Sequence, residues 1–229
     1  SVPYPVTRDT RSTTRRELLA AVGASGTVAV AGCLGFGGGG GGGDSATSYS
    51  CGEGGETIEE AAQPAIGPTD APVTVKVWED FSCPHCATWS MEAFPSLREE
   101  YVASGQVRYE HHDFPIPVED WAWGAASASR AVYEATDGET FFEFAKSIYE
   151  QQSDYTLQVA GDAADNAGVD PCTAVEAASG ETYRPVLEAD REAGLETGME
   201  ATPAVVVNGQ LLSSESTFEN AASLIDEQL

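Results

Sequence analysis

The sequence predicts an α/β fold in which a β-α-β half and a β-β-α half enclose a block of helices. Three observations carry that prediction. Short β-branched runs at residues 73–78, 107–111 and 204–212 have strand character. The stretch between the second and third runs, about 119–198, keeps helical spacing. The last strand pair is joined by Asn208-Gly209, a strong hairpin signal, and is followed by an amphipathic helix over 217–228.

Each element has its own reason. Val73, Val75 and Val77 alternate with Thr74, Lys76 and Trp78, the period of a strand with one inward face. Asp80-Phe81-Ser82 then leads into Cys83-Pro84-His85-Cys86, and residues 84–103 read as a helix. Pro95 is expected to kink or interrupt that helix, because it removes an amide donor and clashes with the preceding turn. Residues 107–111 form the second strand, ending at Asp113-Phe114-Pro115. His111 and His112 are neighbouring strand positions that face opposite sides, and the pattern gives them no further role. In the helical block, Trp121, Ala122, Ala125, Ala128, Val132 and Ala135 fall on helical spacing, as do Phe141, Phe144, Ala145 and Ile148. Trp121 and Trp123 are expected to pack that block. Asp170-Pro171 has the residues of an N-cap and a first helical position. Residues 204–207 and 210–212 make the closing hairpin.

The charge restricts partners. The chain of 229 residues has 37 acids against 11 bases, a net of −26. After residue 33 the balance is 35 acids to 7 bases, a net of −28, with Lys76 and Lys146 the two lysines of the chain. Nucleic acid and anionic membrane carry the same sign, which argues against both as partners. Acids spread through every segment resemble those of halophilic proteins, whose self-repulsion is screened within about 3 Å at about 1 M salt. An acidic secreted protein is the plainer alternative.

The first 33 residues read as an address. Thr13-Thr14-Arg15-Arg16-Glu17-Leu18-Leu19 resembles a twin-arginine (Tat) export signal. The apolar run over 18–31 is too short to span a bilayer. It ends in Val30-Ala31-Gly32-Cys33, which resembles the lipobox of lipoproteins, so Cys33 is expected to carry a lipid. Seven glycines, Gly37 to Gly43, follow, and residues 34–66 as a whole read as a flexible linker. The folded domain is expected over 67–229. This organisation places the chemistry outside the cell, at the membrane surface, although one lipid by itself anchors only marginally.

Five cysteines remain to be assigned. With Cys33 lipidated and Cys83 and Cys86 forming the C-x-x-C pair, Cys51 and Cys172 are left either as a structural disulfide or as two free thiols. C-x-x-C between a strand and a helix reads as a redox site.

Together these elements resemble the thioredoxin fold with an inserted helical domain, and Cys83-Pro84-His85-Cys86 within it resembles the DsbA family of thiol-disulfide oxidoreductases. Gly67 and Ala71-Pro72-Val73-Thr74 look like the approach to that family's first strand. Asp113-Phe114-Pro115 looks like the segment after its second strand, and Thr202-Pro203 with Val207-Asn208-Gly209 like its cis-proline loop and hairpin. The resemblance covers about residues 67–229. It implies Cys83 and Cys86 as catalytic residues, Pro84 and His85 as tuning the thiol pKa, and Thr202 and Pro203 as binding an extended substrate. It also implies a redox-active disulfide without cofactor or metal, exported proteins with free thiols as substrates, and a membrane redox partner. One departure stands out: the thioredoxin fold often has a buried acid six residues before the first active cysteine, where this chain has Val77. Glu79 and Asp80 lie closer to the pair.

The chemistry fits the residues. With Cys83 at an N-cap, the free amides of the first turn and the helix dipole favour its thiolate. A stabilised thiolate stabilises the reduced form and makes the disulfide a better oxidant. The leading expectation is therefore an oxidase. A reductase or isomerase is a second reading. A metal carrier using Cys83, Cys86 and His85 or His111 is the non-enzymatic one.

Overall fold

The computed structural model describes residues 47–229, apart from 117, 118 and 214. The export signal, Cys33 and the polyglycine run lie outside the described residues. Five strands, β1 (Ala65–Ile66), β2 (Val73–Glu79), β3 (Val107–Asp113), β4 (Ala204–Val207) and β5 (Gln210–Leu211), form one sheet in the order β1-β3-β2-β4-β5. β2 and β3 are parallel, and every other neighbouring pair is antiparallel.

β2 and β3 run in step from Val73 opposite Val107 to Glu79 opposite Asp113. Side chains alternate along a strand. Val73, Val75, Val77 and Glu79 therefore share one face with Val107, Tyr109, His111 and Asp113. Phe141, Phe144, Ile148 and Leu97 are fully buried in the core on this side, each contributing about 1.5–3 kcal/mol. Trp78, Met199, Ala204 and Val206 form a second, smaller cluster.

The helix after the cysteine pair differs from its expectation. Pro95 does not interrupt it. The chain runs through α1 (Pro84–Thr88), a π-helical turn Trp89–Ala93, α2 (Phe94–Leu97) and a second π turn Arg98–Val102. The Phe94 N–H donates to Trp89 O, five residues back. The wide turn shifts the hydrogen-bond register just before Pro95, where an α-helical amide would have been lost.

The helical block comprises α3 (Ala122–Ala135), α4 (Gly138–Glu150), α5 (Leu157–Asn166), α6 (Pro171–Gly180) and α7 (Arg184–Glu196). The Asp137 carboxylate accepts the Thr140 N–H at 2.9 Å, and Asp170 accepts the Cys172 N–H at 2.9 Å with Pro171 opening α6. Trp121 stacks on Tyr155 with ring centres 4.5 Å apart, and the Arg184 guanidinium lies 3.6 Å over Trp123. Asn208 and Gly209, both at positive φ, turn β4 into β5, and α8 (Phe218–Asp226) closes the fold.

The linker reading needs correction for residues 47–66, which lie on the domain. Tyr49 packs against Gly161, where a side chain would collide with its ring, and its hydroxyl donates to Asp162 at 2.7 Å. The Ile58 N–H donates to Thr182 O at 2.7 Å, and Ala65–Ile66 adds a strand to β3. Cys51 and Cys172 are joined by a disulfide with Cα atoms 5.2 Å apart. The glycines that give this segment the composition of a linker also permit its close approach: Gly54 meets the Gly180 backbone directly. Two residues of strand are too few to show a period.

Candidate active site

The site forms where β2 meets α1. Cys83 sits at the N-cap with extended backbone (φ −83°, ψ 119°), and Pro84 opens the helix, where a missing amide costs nothing. Cys83 is half-buried, Cys86 is fully buried and His85 is exposed. One turn of helix thus separates an accessible sulfur from an enclosed one.

The two thiols are driven apart in acidity. The Cys83 pKa is lowered from 9.0 to about 5, chiefly by a hydrogen bond from the Cys86 thiol. Burial, the next-largest effect, opposes that lowering, and smaller contributions from Thr202 and the backbone N–H groups of Cys86 and His85 add to it. Cys86 moves the other way: burial pushes it up, and its proton shared with Cys83 and the nearby Glu79 carboxylate push in the same direction. The contribution of His85 to Cys83 comes through its backbone N–H, while its imidazole faces solvent.

The Thr202-Pro203 peptide bond is cis, and Thr202 O lies 3.5 Å from Cys83 Sγ. A groove of about 430 Å³ runs beside this contact, lined by His85, Thr88, Met199, Pro203 and Leu211. The Pro203 carbonyl is held from behind by the Ser216 hydroxyl at 3.0 Å. The structure therefore brings Cys83, Cys86, Pro84, His85, Thr202 and Pro203 into one site. Cys51 and Cys172 pair on the helical block, and Cys33 is outside the described residues.

Several participants are invisible to motif reading. Gln152, after α4, donates from its amide to Phe81 O at 2.7 Å and Cys83 O at 3.0 Å, tying the helical block to the active-site loop. Asp80 accepts Ser82 N–H at 2.7 Å and Ile116 N–H at 2.8 Å, and its own N–H donates to Cys86 Sγ at 3.4 Å. Beneath the pair lies a buried ionic chain. His111 Nδ1 is 3.1 Å from Glu79 and its Nε2 3.2 Å from Asp113. Asp113 receives Arg130 Nε at 2.7 Å, and Arg130 also bonds Asp190 of α7. His112, on the other face, donates toward Asp190 at 3.0 Å. Burial works to lower the His111 pKa, but the two carboxylates on its ring overcome it and raise it to about 9. Burial pushes the Glu79 pKa up. His111 and His112 do face opposite sides, yet both are committed partners rather than passive strand residues. Strand parity carries the missing signal, since Glu79, His111 and Asp113 fall on the inward phase of Val73 and Val107.

The family described as Thioredoxin matches residues 59–227. Disulfide bond formation protein D of Bacillus subtilis is 27% identical over 173 residues, 73% of this chain and 77% of that protein. The probable disulfide bond formation protein D of Bacillus cereus is 28% identical over 186 residues, 77% of this chain and 83% of its own. Among solved structures, oxidised BdbD from Bacillus subtilis superposes with a TM-score of 0.66 at 24% identity, covering 76% of this chain and 98% of that one. DsbA of Chlamydia trachomatis gives 0.65 at 23%, covering 76% and 95%. The buried C-x-x-C helix, the cis-proline facing it and these matches agree, and the chain belongs to the thioredoxin family as a DsbA-like thiol-disulfide oxidoreductase.

Proposed function

We propose that the protein works as an oxidase outside the cytoplasm, donating its Cys83–Cys86 disulfide to exported proteins with free thiols. The observation that carries this reading is the divergence of the two thiols: Cys83 lowered to about 5 and Cys86 raised by burial. Folding therefore favours the reduced pair over the disulfide, which raises the oxidising power of the disulfide. The names of the Bacillus relatives support the same direction.

In the cycle, a substrate thiolate attacks Cys83 Sγ and the Cys83–Cys86 bond breaks. Cys86 leaves as a thiolate and takes up a proton. A second substrate thiolate attacks the substrate sulfur of the mixed disulfide, and Cys83 leaves as a stabilised thiolate. The substrate is oxidised to a disulfide and the enzyme reduced to a dithiol. Thr202 and Pro203 would hold the substrate strand beside Cys83. A membrane redox partner would return the dithiol to the disulfide.

The twin-arginine segment supports export, Cys33 supports lipid attachment and the acidity supports life in strong salt. The test is reoxidation of a reduced, unfolded multi-cysteine protein in strong salt by stoichiometric oxidised enzyme. Substrate disulfides forming as the Cys83–Cys86 bond is consumed support the oxidase. Transfer only in the reverse direction would make it a reductase. For the anchor, Cys33→Ser should release the protein from the membrane fraction, and unchanged retention would remove the lipid reading.

A further inference from the structure

The exchange cycle leaves one cysteine pair unused. Cys51 and Cys172 are joined across 121 residues of sequence, and both are half-buried rather than enclosed in the core. What holds the two ends shows when this bond can form. Cys172 is the second residue of α6, with its N–H donating to Asp170 at 2.9 Å. Cys51 lies in chain without regular secondary structure, next to Gly52. The Ser48 N–H donates to Gln158 Oε1, the Tyr49 hydroxyl to Asp162 and the Gly52 N–H to Glu176, each at 2.7 Å. Gly54 rests on the Gly180 backbone.

All of these partners belong to α5 and α6, which pack against each other. The surface that brings Cys51 to Cys172 therefore exists only after the helical block has folded, so the bridge closes late, on a finished domain. Until it closes, exposed hydrogen bonds of about 0.5–1.5 kcal/mol each hold the segment. Such a segment opens locally and presents Cys51 as an extended, accessible thiol. Docking then returns Cys51 to Cys172, which favours the bridge. The same chain cannot supply the oxidant. Cys172 is fixed in α6, while Cys83 is fixed at the head of α1 by Gln152 and Thr202, and among the described residues the two share no hydrogen-bond partner. Resolution needs Cys83, Cys51 and Cys172 against one another, which two copies can achieve.

We propose that the protein is among its own substrates: the Cys83–Cys86 disulfide of one copy closes the Cys51–Cys172 bridge of another. The inference rests on the oxidase reading and names a second copy of this chain as a substrate. The acceptor's Cys51 thiolate attacks Cys83 Sγ of the donor, and the electron pair of the Cys83–Cys86 bond stays on Cys86, which takes up a proton. The acceptor's Cys172 thiolate then attacks Cys51 Sγ, and Cys83 leaves as a thiolate. Two electrons pass from the acceptor thiols to the donor disulfide, and the second thiol proton goes to solvent. Each chain has a net charge of −28 after residue 33, so two copies meet where salt screens them.

The experiment mixes two full-length chains in strong salt, both with Cys33→Ser. The donor is otherwise wild type, oxidised and isotope-labelled; the acceptor is Cys83→Ser/Cys86→Ser with Cys51 and Cys172 reduced. The donor should close the acceptor bridge at least about tenfold faster than oxidised glutathione at the same concentration, losing one disulfide for each bridge made. A rate no faster than that of glutathione would overturn the proposal. The same donor is offered a reduced, unfolded multi-cysteine protein. Oxidation of that protein but not of the acceptor defeats the self-substrate role alone, whereas oxidation of neither defeats the oxidase reading and this role with it. If the acceptor does not fold, a Cys172→Ala acceptor with its active pair intact replaces it. The donor is then Cys86→Ala with thionitrobenzoate on Cys83. A Cys83–Cys51 crosslink between chains, identified by peptide mass, supports the proposal, and its absence would overturn it.

Discussion

Replacing Cys86 by alanine is expected to raise the Cys83 pKa while leaving it below that of a free cysteine. The Cys86 thiol is the largest single cause of the lowering from 9.0 to about 5, ahead of Thr202 and the backbone amides. A hydrogen bond to a charged group contributes about 1.5–3 kcal/mol. At about 1.4 kcal/mol per pKa unit, its loss should raise Cys83 by about 1–2 units, to about 6 or 7. The amides of Cys86 and His85 persist in the variant because they belong to the helix backbone, so the pKa should not return to 9.0. The assay is thiolate absorbance against pH, checked by the rate of alkylation. An unchanged pKa would show that the helix terminus alone sets the acidity, and a pKa at the free value would show that the amides contribute nothing.

Three further outcomes follow from the same geometry. His85→Gly should raise the Cys83 pKa by less than Cys86→Ala does, because it loosens the first turn without removing its amides; alkylation rates compare the two directly. In the oxidised protein, stability measured by urea unfolding should fall as pH rises from about 6.5 to about 9. His111 has a raised folded pKa, so its contribution is complete below its unfolded value and is lost through about 9, at most about 3 kcal/mol, and His111→Asn should flatten that slope. The reduced protein adds the opposite trend from Cys83, whose stabilisation is present above 9.0 and lost as pH falls through about 5. Replacing Cys51 and Cys172 together by alanine should cost about 2–5 kcal/mol and open residues 47–62 to protease, since the bridge spans 121 residues of chain; an unchanged urea midpoint would contradict a stabilising role for the disulfide.

Much of this fold is legible in the sequence because its main strands have a clean period. Val73, Val75 and Val77 announce an inward face, and Asn208-Gly209 announces its own turn. The cysteine pair and Thr202-Pro203 were readable from residue type and spacing. What escaped has a physical reason in each case. β1 is two residues long and lies in glycine-rich chain, so neither period nor composition marks it. Pro95 would kink or interrupt a regular α-helix, and the π turns around it, which residue type does not announce, remove the clash. Glu79, His111, Arg130 and Asp190 come from four elements, and the ionic chain exists only once β2, β3, α3 and α7 are packed. Gln152 contacts Cys83 across 69 residues of sequence.

The oxidising direction rests on how strongly the fold favours a Cys83 thiolate over the disulfide, and the reduction potential reads that directly. Equilibration of the purified protein with glutathione buffers in strong salt, with the Cys83–Cys86 pair quantified by thiol labelling, gives the value. At pH 7 a thiol lowered from 9.0 to about 5 gains about two units of thiolate stabilisation, about 60 mV at full strength and less after discounting for the partial exposure of Cys83. The account expects a potential above the about −270 mV of thioredoxin. A value at or below that of thioredoxin would contradict it.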